Sequence, residues 1–156
     1  MATIEEYTTG RVCEQLAHAF SVFESTKGSL KGTDIGETML ANVMKLEPKK
    51  IAIDGAVKLI EDSQKCAIGA RVCLAVHKDA PVTKSVFLDG LATGMTGVGK
   101  ARLVTKSQAI EEIKKYGKKP IIVSKVSGKY SEICPTWPLK CLYWNMEKHN
   151  LKCIHK

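Results

Sequence analysis

The stretch Arg71-Val-Cys-Leu-Ala-Val-His77 decides how the middle of the chain is read. It is a near-continuous apolar run with β-branched members, a pattern that predicts a strand buried on both faces. Pro81 follows; its fixed φ suits the first turn of a helix, which would carry Val82, Val86, Phe87 and Leu91. Next comes a glycine-rich loop, Thr93-Gly-Met-Thr-Gly-Val-Gly-Lys100. Beyond it, Ala101 to Thr105 predicts a strand, Ser107 to Tyr116 a capped helix ending at Gly117, and Pro120 to Val126 another strand.

Working back toward the N-terminus, Ala56 to Lys65 carries Val57, Leu59 and Ile60 at helical spacing, while Ile51 to Ile53 is ambiguous. Thr33 is placed to cap a helix whose stripe is Ile35, Met39, Leu40, Val43 and Met44, with Glu37 in a loosely spaced box and Pro48 as the stop. Leu16, Phe20 and Phe23 mark a first helix over Glu14 to Glu24. Strands alternating with helices predict an α/β or α+β fold, a single mixed-sheet domain with flanking helices. After Gly128 the pattern dissolves. Residues 1–128 are therefore expected to form the core domain, with 129–156 a short, basic, Cys-rich C-terminal appendage packed on it or extending it.

A chain of 156 residues, 44% of them hydrophobic, can bury roughly two-thirds of its extended surface and needs no staple to fold. Apolar runs such as Val72 to Val76 and Pro120 to Val123 are too short to cross a bilayer. Glu5 and Glu6 stand where a secretory signal would need basic residues, so a cytoplasmic location is expected, with the six cysteines reduced, buried or metal-bound.

Charge is unevenly spread. From Gly97 to Lys156 there are thirteen Lys or Arg and four Glu; residues 1–96 hold eleven basic and twelve acidic side chains. The formal +8 belongs to one region, which points to an anionic partner. Lys114, Lys115, Lys118, Lys119, Lys125 and Lys129 would let it neutralise phosphates, and binding would then weaken steeply with salt. Arginine is limited to Arg11, Arg71 and Arg102, which favours non-specific contact over base reading.

Three places carry candidate chemistry. Gly94 to Lys100 fits glycine, four residues, glycine, lysine, the opening of a phosphate-cradling loop. The next residue is Ala101 and not the metal-ligating Ser or Thr, and the loop leads into a strand where a helix is needed, so a sharp turn or simple anion contact with Lys100 are the competing readings. His77 at the predicted strand end lies two residues from Asp79 and could share a proton or orient a ligand. No serine or cysteine can be placed beside the pair, so the sequence names no reaction. In the tail, Cys134, Cys141, His149 and Cys153 offer four ligands of the kind zinc takes, although the usual Cys-x2-Cys spacing is absent. The alternative is that these cysteines pack as small apolar residues, as Cys13, Cys66 and Cys73 are expected to.

The stretch Val76-His-Lys-Asp-Ala-Pro81, then Val86, then Thr93 to Leu103, resembles the central block of the E-type subunit of formylmethanofuran dehydrogenase and its relatives. That family has an Asp-Ala-Cys segment after a strand, a helix, and a Thr-Gly-Cys-Thr glycine loop leading into another strand. Lys27-Gly-Ser-Leu-Lys-Gly32, entering a helix at Ile35-Gly36, is similar to the family's His-Gly-His-x-Cys-Pro-Gly segment, and some relatives carry a zinc-ribbon tail. The resemblance spans residues 27–104. Where the family places His, His and Cys, this chain has Lys27, Ser29 and Lys31; where it places later cysteines, this chain has Pro81 and Met95. Lysine and serine do not replace imidazole and thiolate around a transition metal.

The resemblance thus implies a ligand- or metal-binding accessory protein of anaerobic redox metabolism with its ancestral metal site altered. The corresponding pocket, lined by Lys27, Lys31, Asp79, Thr93, Thr96 and Lys100, would suit a small anionic ligand. Partners expected on these grounds are such a ligand or a partner protein, with a homodimer compatible. The rival expectation is a nucleic-acid-binding module using the Lys-rich C-terminal third.

Overall fold

The computed structural model describes residues 1–75 and 83–155. Helix α1 (Ile4–Thr8) is started by Thr3 and Glu6, which form a reciprocal capping box. Helix α2 (Arg11–Ser25) buries Leu16, Ala19, Phe20, Val22 and Phe23. Helix α3 (Asp34–Met44) is capped as expected, Thr33 Oγ1 accepting from the Gly36 amide at 3.0 Å. Glu37 reaches back instead to the amide of Gly32. Then follow β1 (Lys49–Ile51), α4 (Ile53–Asp62), β2 (Cys66–Ala70), a 3-10 turn at 72–75, β3 (Lys84–Leu88), α5 (Asp89–Gly97), β4 (Ala101–Val104), α6 (Lys106–Lys114), β5 (Ile121–Val126), β6 (Lys129–Pro135) and, after a 3-10 turn at Pro138–Lys140, α7 (Leu142–Lys148).

The six strands form one sheet in the order β1-β5-β6-β3-β2-β4, and all its strand pairs are antiparallel. The fold is a mixed α+β arrangement with a helical layer on each face. Strand alternation sorts the core. Cys66, Ile68, Val86, Leu88, Ile121, Val123 and Ile133 face α4 and α6, meeting Ala56, Ile60, Ala109 and Ile113. The opposite face carries Ala67, Phe87, Ile122 and Val126, covered by α1, α2, α3, α5 and α7. Among the described residues, no helix is long and apolar enough to cross a membrane.

Three expectations are corrected. The strand lies at 66–70, and the predicted run 71–77 opens as a 3-10 turn over Val72–Ala75. Gly69 explains why the sheet uses the earlier segment: a Cβ there would sit 2.5 Å from Lys100 O and 2.9 Å from the Phe87 ring, so β2 and β4 can pair closely only at a glycine. Val86 and Phe87, expected on a helix after Pro81, lie on β3, where Ser85 to Leu88 are all buried; a strand covered on both faces leaves no alternation to read. The remaining part of the first run, with His77, Asp79 and Pro81, lies outside the described residues.

The third correction concerns the glycine-rich segment, which is a helix and its end. Gly99, at φ +76°, completes a Schellman cap on α5, its amide donating to Thr96 O and that of Lys100 to Met95 O. Those amides, with that of Val98 on Gly94 O, are already spent on helix carbonyls, so they form no phosphate cradle. Gly94 serves packing: a Cβ there would lie 2.7 Å from Ile4 Cγ2 on α1.

The segment from 129 onward supplies an interior strand. Ser127 and Gly128, both at positive φ, make a two-residue turn joining Val126 to its partner Lys129, and β6 then runs between β5 and β3. Tyr143 and Met146 of α7, with Cys141, Leu151 and Cys153, are buried in the same core cluster as α2.

Candidate functional site: a buried arginine among thiols

The sheet face beneath α1, α2 and α7 is unusual for its polar content. Alternation along β6 puts Glu132 and Cys134 on it, opposite Ile133. On β5 it presents Ser124. Continuing the alternation Ala67, Gly69 places Arg71 there as well, at the point where the chain leaves the sheet; the Arg71 amide still donates to Thr83 O at 2.9 Å. The following 3-10 turn delivers Cys73, and the residue preceding α7 is Cys141.

These side chains border a cavity of about 40 Å3 lined by Arg71, Cys73, Glu132, Cys134, Thr136, Cys141 and Tyr143 and, from the helical side, by Tyr7, Val12, Leu16, Leu46 and Leu142. Arg71 is only 2% exposed, and among the described residues none of its three guanidinium nitrogens makes a hydrogen bond of good geometry. Nor does any carboxylate among them come within ion-pair distance of it. Burial works against its charge, but negative charge on the surrounding sulfurs of Cys134, Cys73 and Cys141, at the high pH where arginine titrates, more than offsets this, and its pKa is raised. The guanidinium stays charged. Leaving such a group buried and unpaired costs several kcal/mol, and unpaired buried polar atoms are scarce in native proteins.

Glu132, 5% exposed, shares the cavity and accepts a hydrogen bond from the Tyr7 hydroxyl at 2.7 Å. Burial raises its pKa against the opposing influence of the Tyr7 bond and the Arg71 charge. Burial likewise pushes the Tyr7 hydroxyl up, with Glu132 adding to the effect. The thiols follow the same physics: Cys134 is pushed up to about 12 by burial despite Arg71, and Cys73 and Cys141 are raised, burial again leading. They are protonated thiols, weak donors to whatever fills the cavity. On the far side, Tyr143 and Ser124 share a hydrogen bond of 2.7 Å, and Thr136 ties the wall together by donating to Pro120 O while accepting from Trp144 Nε1.

The residues singled out from sequence are dispersed. Lys27 and Lys31 are exposed in the loop before α3, whose neighbourhood is fixed by the Leu30 amide on His149 O. Thr93 and Lys100 are exposed on and just beyond α5; Thr93 donates to Asp89 O, and Lys100 Nζ reaches Tyr7 O at 3.4 Å. Thr96 is half-buried. No hydrogen bond or ion pair among the described residues joins the two groups. His77 and Asp79 lie outside the described residues.

The four tail ligands divide. Cys134 and Cys141 line the Arg71 cavity. His149 instead stacks on Phe23 at 5.1 Å between ring centroids, with Nδ1 2.6 Å from Gly28 O. Cys153 directs its thiol at Tyr143 O, 3.6 Å away, and burial pushes it up to about 12. Among the described residues, no group of three or more His, Cys, Asp or Glu is arranged to hold a metal ion. Of the basic run, Lys114 and Lys118 are exposed at and beyond the end of α6, whereas Lys115, also exposed, pairs with Glu112, Lys125 with Glu47 and Lys129 with Asp89.

Arg71, Glu132 and Tyr7 are site residues that sequence reasoning misses. The available signal is a charge embedded at an inward position of an apolar segment: Arg71 opens the run that reads as a buried strand, and Glu132 interrupts Tyr130-Ser-Glu-Ile-Cys134. Comparison of the chain with known protein families, curated proteins and solved structures yields no match.

Proposed function

We propose that this chain is a binding protein for a small oxoanion, seated on the Arg71 guanidinium inside the thiol-lined cavity. The observation that carries the reading is the buried and charged state of Arg71, unpaired among the described residues. A carboxylate or phosphate oxygen pair matches the guanidinium fork, and such charge-assisted bonds are about twice as strong as neutral ones. An anion would supply the strong hydrogen bonds that the Arg71 guanidinium lacks, since among the described residues the only bond it makes is a loose one to the Cys134 sulfur. The role agrees with the small-anion binding that the formylmethanofuran dehydrogenase resemblance implies, but it rests on Arg71 and the tail cysteines, with the lysines of the glycine-rich segment playing no part. The cysteines serve here as thiol donors and cavity wall.

The test is calorimetric titration of the purified full chain with acetate and with inorganic phosphate, repeated on Arg71→Met. Saturable binding by the wild type that disappears in a folded Arg71→Met supports the reading. Binding of neither anion, or equal binding by the variant, overturns it.

A further inference from the structure

A second cavity of about 130 Å3 lies between α2 and α3, under the N-terminal segment. Its walls include Ala19 and Gln15 of α2 and Met39 and Val43 of α3, and its rim carries His18, Asn42 and Lys45. Four side chains, Val12, Leu16, Leu46 and Leu142, line both this cavity and the one that holds Arg71. The two spaces therefore share an aliphatic wall. One end is a groove with mostly apolar walls and a polar rim; the other is a smaller cavity whose buried cation has no hydrogen-bond partner of good geometry among the described residues.

We propose that the ligand is an aliphatic monocarboxylate, its head on Arg71 and its unbranched tail running past Leu16 and Leu46 into the α2–α3 groove. The proposal rests on the anion reading above and extends it to the rest of the molecule bound. Charge complementarity fixes the polarity, because the unpaired guanidinium is at the inner end. The apolar part of the space favours an aliphatic tail: a bare oxoanion would leave empty the stretch lined by Leu16, Ala19, Met39, Val43 and Leu46, beyond which Glu6, His18, Asn42 and Lys45 also line the groove. Entry requires Val12, Leu46 and Leu142 to change rotamer, and the first and last of these belong to half-buried positions at helix ends. Such rearrangements are fast on the timescale of binding. The thiols of Cys73, Cys134 and Cys141 line the space around the head as weak donors, while the Tyr7 hydroxyl hydrogen is already given to Glu132.

Affinity should then climb with chain length. Each methylene moved from water to the groove contributes about 0.8 kcal/mol, about a fourfold gain in affinity. The experiment titrates the full chain with formate, acetate, butyrate, hexanoate and octanoate, on wild type, Arg71→Met, and two groove-filling variants, Ala19→Leu and Val43→Phe, whose side chains line the groove and not the Arg71 cavity, each checked for folding by circular dichroism. Expected is a steep rise along the series until the groove is full, abolished by Arg71→Met. The groove variants should lose the gain for hexanoate and octanoate but keep the affinity for acetate. Two fillers at different positions guard against one of them failing to fold. A flat series that still depends on Arg71 overturns the tail assignment and leaves the anion reading standing. No binding of any member, or binding indifferent to Arg71, overturns both.

Discussion

Tyr7 donates its hydroxyl hydrogen to Glu132 across 125 positions of chain, 2.7 Å apart and buried. The bond ties the short N-terminal helix to an interior strand and closes one wall of the Arg71 cavity. It leaves Arg71 and Glu132 facing the same small space without forming an ion pair. The cation and the carboxyl group share a cavity yet remain apart, and that separation is what the anion proposal builds on.

Arg71→Met should separate stability from function. Replacing a buried, uncompensated charge with an apolar side chain of similar length removes a desolvation cost, so the variant is expected to be as stable as the wild type or more stable, on the order of 1 to 4 kcal/mol. Urea denaturation reads this directly. A marked loss of stability would mean that the guanidinium has a structural partner and that the anion reading is wrong.

Glu132→Gln tests the cavity's electrostatics through pH. Burial raises the Glu132 pKa in the folded chain above its unfolded value. The stability contributed by the neutral carboxyl is therefore fully present below the unfolded pKa and is lost as pH rises through the folded one. Glutamine does not titrate and still offers Tyr7 an acceptor. The variant should match wild type near pH 4 and exceed it increasingly toward neutrality, by on the order of 1 kcal/mol. Thermal melts of both proteins across pH 4 to 7 give the comparison; a gap that shrinks with rising pH refutes it.

Alkylation should sort the thiols. The thiolate is the nucleophile, and Cys134 and Cys153 are held at about 12. At pH 8 their labelling by iodoacetamide should run about a thousandfold slower than that of a free cysteine, and guanidinium should restore the ordinary rate. Peptide mapping by mass spectrometry assigns each site. Rapid native labelling of Cys134 would show that the cavity is wet and electropositive enough to ionise it.

Gly94→Ala should destabilise the chain even though alanine is the better helix former by about 1 kcal/mol. The new methyl would lie 2.7 Å from Ile4 Cγ2 and 3.2 Å from Thr8 Cγ2. Overpacking of this kind costs about 1–3 kcal/mol, which outweighs the propensity gain. Pairing the change with Ile4→Ala should recover part of the loss, with a favourable coupling in the double-mutant cycle. Simple additivity would show that α1 does not pack on Gly94 as described.

Much of the fold is legible in the sequence because it is encoded locally. Thr33 caps its helix as read, its side-chain oxygen three residues from the amide it accepts, whereas α6 is capped by Thr105, two residues before the expected start at Ser107. The predicted strands at 101–105 and 120–126 fall within a residue or so of β4 and β5. The segment Ser85 to Leu88 escapes such reading because burial on both faces erases the alternation that distinguishes strand from helix. The Ser127-Gly128 turn is a local signal, but without recognising it neither β6 nor the inward placement of Glu132 and Cys134 can be read.

By itself the sequence determined a single mixed-sheet domain with flanking helices, the approximate places of α2, α3, α4 and α6, and the concentration of cysteine and charge toward the C-terminus, since periodicity, capping and composition are written within a few residues of one another. The tertiary structure decided which of those residues meet. Arg71, Cys73, Glu132 and Cys141 come from separate segments, and Tyr7 reaches them from the N-terminal helix. Their convergence follows from β6 pairing between β5 and β3 and from the helices that cover that face. A side chain's burial and lack of partner depend on chain segments distant in sequence, and those are the two properties that, together with its positive charge, mark Arg71.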